Sequence, residues 1–482
     1  MSVLGDIKPE NVFRYFEEIS RIPRGSYHTK AIAGYLEAFA RGHGLVHYRD
    51  AADNVIIIKD ASSGYQDAPS VILQGHTDMV CEKEAGCTID FEKEGLDLYV
   101  DGEFLKAHGT TLGADDGIAV AYMLAILDDG ELAHPRLEAV FTSNEEVGLL
   151  GAKEIDLSML KGKILLNIDS DIEGHFLTSC AGGLTAQTDI PVSYEKRQGV
   201  GVAVRLHGLL GGHSGSEIDK EHANAIVELG RVLKYIEQRV PMGIAELKGG
   251  LKDNAIPREA ECTLVIRQQD QELFFAAVSE VAGNLQKEYQ AADPGLLVST
   301  QTLSESEYEV LNPVSAQKVL FFLRNMPNGV MHMSTVINGL VETSLNAGIM
   351  QLGKKSFQVS ASVRSSVGSR KEEVMDKLAY LAEFLGGTAV AEGDYPAWEY
   401  CADSKIRGKI TEVYKKLFEK EPVFEAIHAG LECGMFCGKI EGLDAVSFGP
   451  DNFDIHTPME RLSIPSAGRI YQFLTELLRG IK

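Results

Sequence analysis

The sequence predicts an α/β protein with a mostly parallel central sheet, interrupted by an inserted α+β domain. Two changes of texture predict it. Up to CAGG (180–183), short apolar strands alternate with helices, the pattern of a largely parallel sheet. Longer alternating strands and long helices then follow, and the first texture returns from about residue 396. The expected division is residues 1–185 with 396–482 for one discontinuous domain, and 186–395 for the insertion. A chain of 482 residues is also too long for one ordinary core.

Apolar residues at helical spacing predict amphipathic helices over 8–22 and 29–41. NVIIIKD (54–60) and VILQGH (71–76) are predicted strands, and GIAVAYMLAILDD (117–129) is a predicted helix. LEAVFTS (137–143) and KILLNID (163–169) are further strands. In the insertion, GVAVRLHG (201–208), ECTLVIRQ (261–268) and SFQVSASV (356–363) alternate as strands do, with helices at 219–238, 270–288 and 370–386. The last segment carries a helix at 403–418, the short strands PVFEAIH and DAVSFG, and a final helix at 464–480.

Composition narrows the classes of function. Net charge is −24, with 70 acidic against 46 basic residues, which argues against nucleic acid or an anionic membrane surface as partner. No run approaches the roughly 18–20 apolar residues that span a bilayer. MSVLGDIKPENVFRYF lacks the basic and apolar regions of a secretory signal. The seven cysteines are odd in number and contain no Cys-x-x-Cys pair. Free thiols in a reducing cytoplasm are expected, in place of a disulfide framework or a thiolate zinc site.

Several strands end in a way apolar strands do not. VILQGHTD ends in His76 and Asp78, two residues apart and so on one side of an extended chain. LEAVFTSNEE ends in Glu145 and Glu146, and KILLNIDSD in Asp169 and Asp171. GTTLGADDGIAVAY puts Asp115 and Asp116 just before a helix, and FGPDNFDIHTP places His456 in a loop after a strand. Sites in open α/β sheets lie beyond the carboxyl ends of the strands. Parallel strands bring these carboxylates to one edge, where bound divalent cations answer their mutual repulsion. Two imidazoles with three or more carboxylates suit zinc, manganese or cobalt. The count suits two ions, each with one His and one terminal carboxylate, bridged by a third carboxylate and a water.

GHTD, TTLGADDG, TSNEEVG, NIDSD, GGHSG and IHTPMERL, in this order, resemble the co-catalytic zinc exopeptidases, the family that includes carboxypeptidase G, tripeptidase T and aminoacylase. QGHTDMVCEK, DGEFLKAHGTTLGADDGIAVAY, SCAGG and GLLGGHSG are similar to its aminoacyl-histidine dipeptidase branch. The resemblance covers essentially the whole chain. It implies a zinc-exopeptidase-like catalytic domain and an inserted lid and dimerisation domain. It further implies two divalent metal ions, zinc first and manganese or cobalt also admitted. His76 and Asp169 would hold one ion, Glu146 and His456 the other, and Asp115 would bridge both.

Asp78, on the side of His76, is expected to hold the imidazole's other N–H and fix its tautomer. Adjacent side chains point apart, so Glu145 and Glu146 need different tasks. Glu146 matches the ligand position, and Glu145 matches the general base that takes a proton from the bridging water and passes it to the leaving amine. In similar enzymes the Asp115–Asp116 peptide is cis, and the same is expected here. His213 matches a position that similar enzymes use to stabilise the oxyanion, in dimeric relatives from the partner subunit. Asn254, Arg364, His428 and the backbone at Gly430 are candidates for the peptide's free carboxylate. The expected activity is metal-dependent hydrolysis of unblocked dipeptides, including Xaa-His and carnosine, by a homodimer in the cytoplasm. The alternatives are a tripeptidase or an N-acyl-amino-acid deacylase on the same scaffold, and a non-catalytic metal-binding protein. The intact Glu145 argues against the last, since metal storage needs no base.

Overall fold

A computed structural model of the protein describes residues 3–482. The chain forms two compact units. One runs to Cys180 and resumes over Tyr400–Ala426 and Leu431–Lys482; the other comprises Ala181–Glu399 and Ile427–Gly430. The expected edges at 185 and 396 thus lie a few residues inside the second unit. The segment 427–430, which the sequence assigns to the discontinuous domain, belongs to the second unit, because Ala181 N donates to the carbonyls of Ile427 and Ala429.

In the first unit an eight-stranded sheet has the order Val46–Arg49, Val55–Lys59, Leu137–Thr142, Val71–His76, Ile164–Asn167, Asp444–Ser447, His175–Cys180, Val423–Ile427. The four central strands, from Leu137–Thr142 to Asp444–Ser447, are mutually parallel. The strands Val46–Arg49 and Val55–Lys59 pair antiparallel at one side, and His175–Cys180 pairs antiparallel at the other. The sheet is therefore parallel where the candidate ligands emerge and mixed outside that centre. Val71–His76 and Leu137–Thr142 are buried at every position, as strands covered on both faces must be.

The helix Ala114–Asp128 explains much of that covering. Every residue from Gly117 to Leu127 is buried, so the helix is apolar all round and lies inside the core. Asp115 and Asp116 at its start have non-helical dihedrals, and the peptide between them is cis, as expected. Helices Glu10–Ser20, Lys30–Gly42 and Ile464–Gly480 add Phe13, Phe16, Ile32, Leu36, Phe473 and Leu474 to the same core. No helix among the described residues is long and apolar enough to cross a membrane. All seven cysteines are free thiols.

The second unit is an α+β layer. Its nine-stranded sheet is antiparallel in the pairings that include Tyr194–His207, Ala260–Ile266, Val341–Leu352 and Ser356–Ser365. Val200, Val202, Val204 and Leu206 alternate into the core, against helices that include Ala225–Glu237 and Pro313–Asn325. The helix expected over 219–238 starts only at Ala225. Its N-cap Asn224 accepts from Ile226 N and Val227 N, and the preceding residues form a 3-10 turn.

The sheet and the buried helix meet closely at Gly75. A Cβ there would lie 2.4 Å from Asp116 Oδ2 and 2.6 Å from Ala119 Cβ. Gly75→Ala is expected to destabilise by about 1–3 kcal/mol through overpacking. Gly34→Ala, with nothing within 4 Å in the helix Lys30–Gly42, should stabilise by about 0.5–1 kcal/mol. Urea unfolding midpoints check the opposite signs.

Candidate metal centre

The parallel register delivers the strand ends to one place. His76 closes its strand, Glu145 and Glu146 follow Leu137–Thr142, and Asp169 follows Ile164–Asn167. His456 lies between the short strands Asn452–Phe453 and Arg461–Ser463, on left-handed backbone at φ 62°. Asp115 stands at the entrance to the buried helix and joins the two imidazoles. Its Oδ1 is 2.9 Å from His76 Nε2, and its Oδ2 is 3.1 Å from His456 Nε2. Glu146 Oε1 is also 3.1 Å from His456 Nε2, and Asp169 Oδ1 is 3.7 Å from His76 Nε2. The donor atoms of Asp115, Glu146 and His456 lie within 4.8 Å of one another, as do those of His76, Glu145 and Glu146.

His76 is oriented from behind. Its Nδ1 is 3.1 Å from the backbone carbonyl of Asp78 and 3.5 Å from that residue's carboxylate. A proton on Nδ1 serves these acceptors, and in the metal-free fold Nε2–H donates to Asp115; against burial, these bonds together raise the His76 pKa, and a bound cation would take the place of the Nε2 proton. The expected contact to the Asp78 side chain is the longer of the two. That carboxylate is occupied mainly by the neighbouring loop: Oδ1 accepts from Glu145 N at 3.0 Å, and Oδ2 accepts from Ser26 Oγ at 2.8 Å and Glu146 N at 3.4 Å. Asp78 therefore fixes both the imidazole and the Glu145–Glu146 backbone. Asp116 Oδ2 accepts His76 N at 3.1 Å, and the donor atoms of His76, Asp116 and Asp169 also lie within 4.8 Å of one another.

The electrostatics show the strain of this crowding. Burial, then Asp116 and Asp115, pushes the Asp169 carboxyl well above its ordinary range. Burial pushes Glu145 up to about 8 and Asp171 up to about 7. Asp115 moves the other way: burial opposes ionisation, but the bonds from His456 and His76 lower its pKa. His456, bonded to Asp115 and Glu146, is raised to about 10. Oxygen and imidazole donors without thiolates suit borderline divalent cations, and the anionic surplus suits two of them. The residues present therefore fit a two-cation site.

The other candidates gather in the second unit. Gly212–His213 pairs with Ala255–Ile256, and Ser214 N donates to the Asn254 carbonyl at 2.9 Å, so His213 and Asn254 share one corner. His213 Nδ1 accepts from Gly215 N and Ser216 N, both at 3.2 Å, which puts its proton on Nε2. Burial and the Arg364 charge lower its pKa. The same two causes take buried His428 down to about 3, with its Nε2 2.7 Å from Ser344 Oγ. Arg364 Nη1 donates to Tyr395 Oη at 3.2 Å, and a Cβ on Gly430 would lie 2.9 Å from that tyrosine ring. Buried Arg364 Nε and His428 Nδ1 have no hydrogen-bond partner among the described residues.

Residues 72–480 match Peptidase family M20/M25/M40. The chain belongs to this M20 peptidase family. It is 34% identical to the cytosol non-specific dipeptidase of Escherichia coli (strain K12), over 100% of this chain and 99% of that one. The solved aminoacylhistidine dipeptidase from Vibrio alginolyticus superimposes with a TM-score of 0.93 at 33% identity, covering 99% of this chain and 98% of the other. The aminopeptidase PepT from Bacillus cereus ATCC 10987 shares the fold, with a TM-score of 0.56 at 15% identity over 98% and 99% of the two chains.

This M20 peptidase also carries polar residues beneath the cluster that motif reading passed over. Glu432 is fully buried; it accepts from Thr142 Oγ1 at 2.7 Å and from Gln74 Nε2. Gln74 in turn accepts from Asn167 Nδ2 at 2.6 Å. Burial raises Glu432 to about 7. The available signal was Gln74 and Asn167 themselves, polar residues in fully apolar strands. Tyr395, packed on Gly430, gave none.

Glu145, Glu432 and Asp171 all protonate in the fold well above the unfolded value of about 4. Between about pH 4.5 and 8 the metal-free fold binds more protons than the unfolded chain, so its stability falls as pH rises. His76 and His456, raised, lose their contribution above about pH 6.5, and lowered Asp115 acts oppositely only below about pH 4. After chelation, Tm should drop from pH 5 to pH 8, and zinc should raise Tm more at pH 8 than at pH 5. A Tm that climbs across this window contradicts the assignment.

Proposed function

We propose that this chain is a cytoplasmic metallo-dipeptidase that uses two zinc ions to hydrolyse unblocked dipeptides, Xaa-His and β-alanyl-His (carnosine) among them. The observation that carries the reading is the division of Asp115 between His76 and His456, with Glu145 beside His76 and Glu146. The names of the two full-length relatives, a cytosol non-specific dipeptidase and an aminoacylhistidine dipeptidase, support the substrate class. A homodimer is part of the same proposal.

His76 and Asp169 would hold one cation, Glu146 and His456 the other, and Asp115 both. When bound, the two cations supply Lewis-acid polarisation of the scissile carbonyl and acidify the attacking water. Glu146 is engaged by His456, whereas no described group hydrogen-bonds the Glu145 carboxylate. Glu145 is thus free to take the proton from water and deliver it to the leaving amine. Asp78 keeps that carboxylate in place through the Glu145 N–H. Nε2–H of His213 is the donor proposed for the developing oxyanion. Arg364, neutral His428, Asn254 and the backbone at Gly430 are proposed to receive the dipeptide's carboxylate, the guanidinium supplying the charge.

Glu145→Gln should lower kcat by about 10²–10⁴-fold while metal content stays at the wild-type value. Loss of metal together with activity would make Glu145 a ligand instead. Chelated protein titrated with zinc and then manganese should regain hydrolysis of Ala-His, with Ala-Ala-Ala and acetyl-Ala left intact. Preferred turnover of either of the latter would move the chain to a tripeptidase or deacylase reading.

A further inference from the structure

The turn that presents Asp115 is gripped by two residues outside the ligand set. Glu460 is 3% exposed, and both its oxygens accept backbone N–H groups. Oε2 takes Leu112 N at 2.8 Å and Gly113 N at 3.0 Å; Oε1 takes Ala114 N at 2.8 Å and Asp115 N at 3.4 Å. Four consecutive amides converge on one carboxylate, which sits four residues beyond His456 in the same loop.

Arg24, 2% exposed, lies on the other side of the turn. Its Nη2 donates to the Gly113 carbonyl, and its Nη1 donates to the carbonyls of Thr77 at 3.1 Å and Asp78 at 3.3 Å. A Cβ at Gly113 or Gly117 would lie 2.6 Å from Nη2, so both glycines of TTLGADDG leave room for the guanidinium. Gly113 also has φ 63°, which suits glycine. Its N–H faces the anion and its C=O faces the cation, so a single residue links two buried opposite charges.

We propose that Glu460 and Arg24 are positioning residues that tie together three ligand-bearing segments: the chain after His76, the turn before Asp115, and the His456 loop. A plain helix cap would engage the first helical turn. Glu460 instead holds amides of a stretch in which Asp115 and Asp116 are non-helical. Because Asp115 faces both imidazoles, loosening this turn weakens both cation sites, whereas losing His456 weakens one.

The inference rests on the two-cation reading above, and its test separates the two. Chelated full-length wild type, Glu460→Gln, Arg24→Lys and His456→Ala are titrated calorimetrically with zinc, and visible spectra of their cobalt forms are recorded. In Glu460→Gln the amide NH2 faces backbone donors, so both affinities should fall about 10–100-fold and the cobalt spectrum should change, at unchanged circular dichroism. Arg24→Lys keeps the charge but not the three-carbonyl grip, and should shift both sites in the same direction. His456→Ala should lose one site only. Two wild-type affinities and a wild-type cobalt spectrum in folded Glu460→Gln overturn the proposal. If that variant does not fold, the same result in Arg24→Lys overturns it. Fewer than two cations on the wild type would sink both readings.

Discussion

The organising constraint is the repulsion among carboxylates that the parallel sheet drives together. Asp115, Glu145, Glu146 and Asp169 arrive from three segments and are brought near one another at the ends of parallel strands and the start of the buried helix. Burial then raises the cost of each charge. The surrounding chemistry answers that cost by fixing donors around the cluster. Asp78 collects the amides of Glu145 and Glu146, Asp116 takes the His76 amide, and Glu432 is bonded by Gln74 and Thr142. Asp78, Asp116 and Glu432 thus have donors of their own, and the two imidazoles face Asp115 and Glu146.

The second unit solves the reverse problem. Arg364 is a buried cation there, and the pKa values of His213 and His428 are lowered by burial and by that charge. His213 is further fixed as an Nε2–H donor by the amides of Gly215 and Ser216.

The cluster of candidate donors was legible because its signal is a violation: strands such as VILQGHTD and KILLNIDSD are apolar until they end in charge. Hydrophobic periodicity located the strands, and their shared polar termini located the edge. The α/β character and the inserted α+β segment were legible for the same reason. What escaped has a common physical cause. Glu460 and Arg24 act through backbone N–H and C=O groups, which every residue has, so no side-chain pattern announces them. The helix start at Ala225 was misplaced because an Asn cap outweighs helical periodicity in the residues before it. His428 and Gly430 fell into the wrong unit because four residues are too few to carry a periodicity of their own.

The strand Asp444–Ser447 lies inside the sheet, between Ile164–Asn167 and His175–Cys180, although more than 260 residues separate it in sequence from both. A ribosome synthesising this chain delivers His76, Asp115, Glu146 and Asp169 long before that strand and His456. Until then the chain lacks the strand that lies between Ile164–Asn167 and His175–Cys180, and it carries one of the two imidazoles of the acidic edge. The continuous segment Ala181–Glu399, by contrast, is complete before synthesis reaches that strand. The order of synthesis thus keeps the two-imidazole centre incomplete until the chain has been extended through the whole second unit to His456.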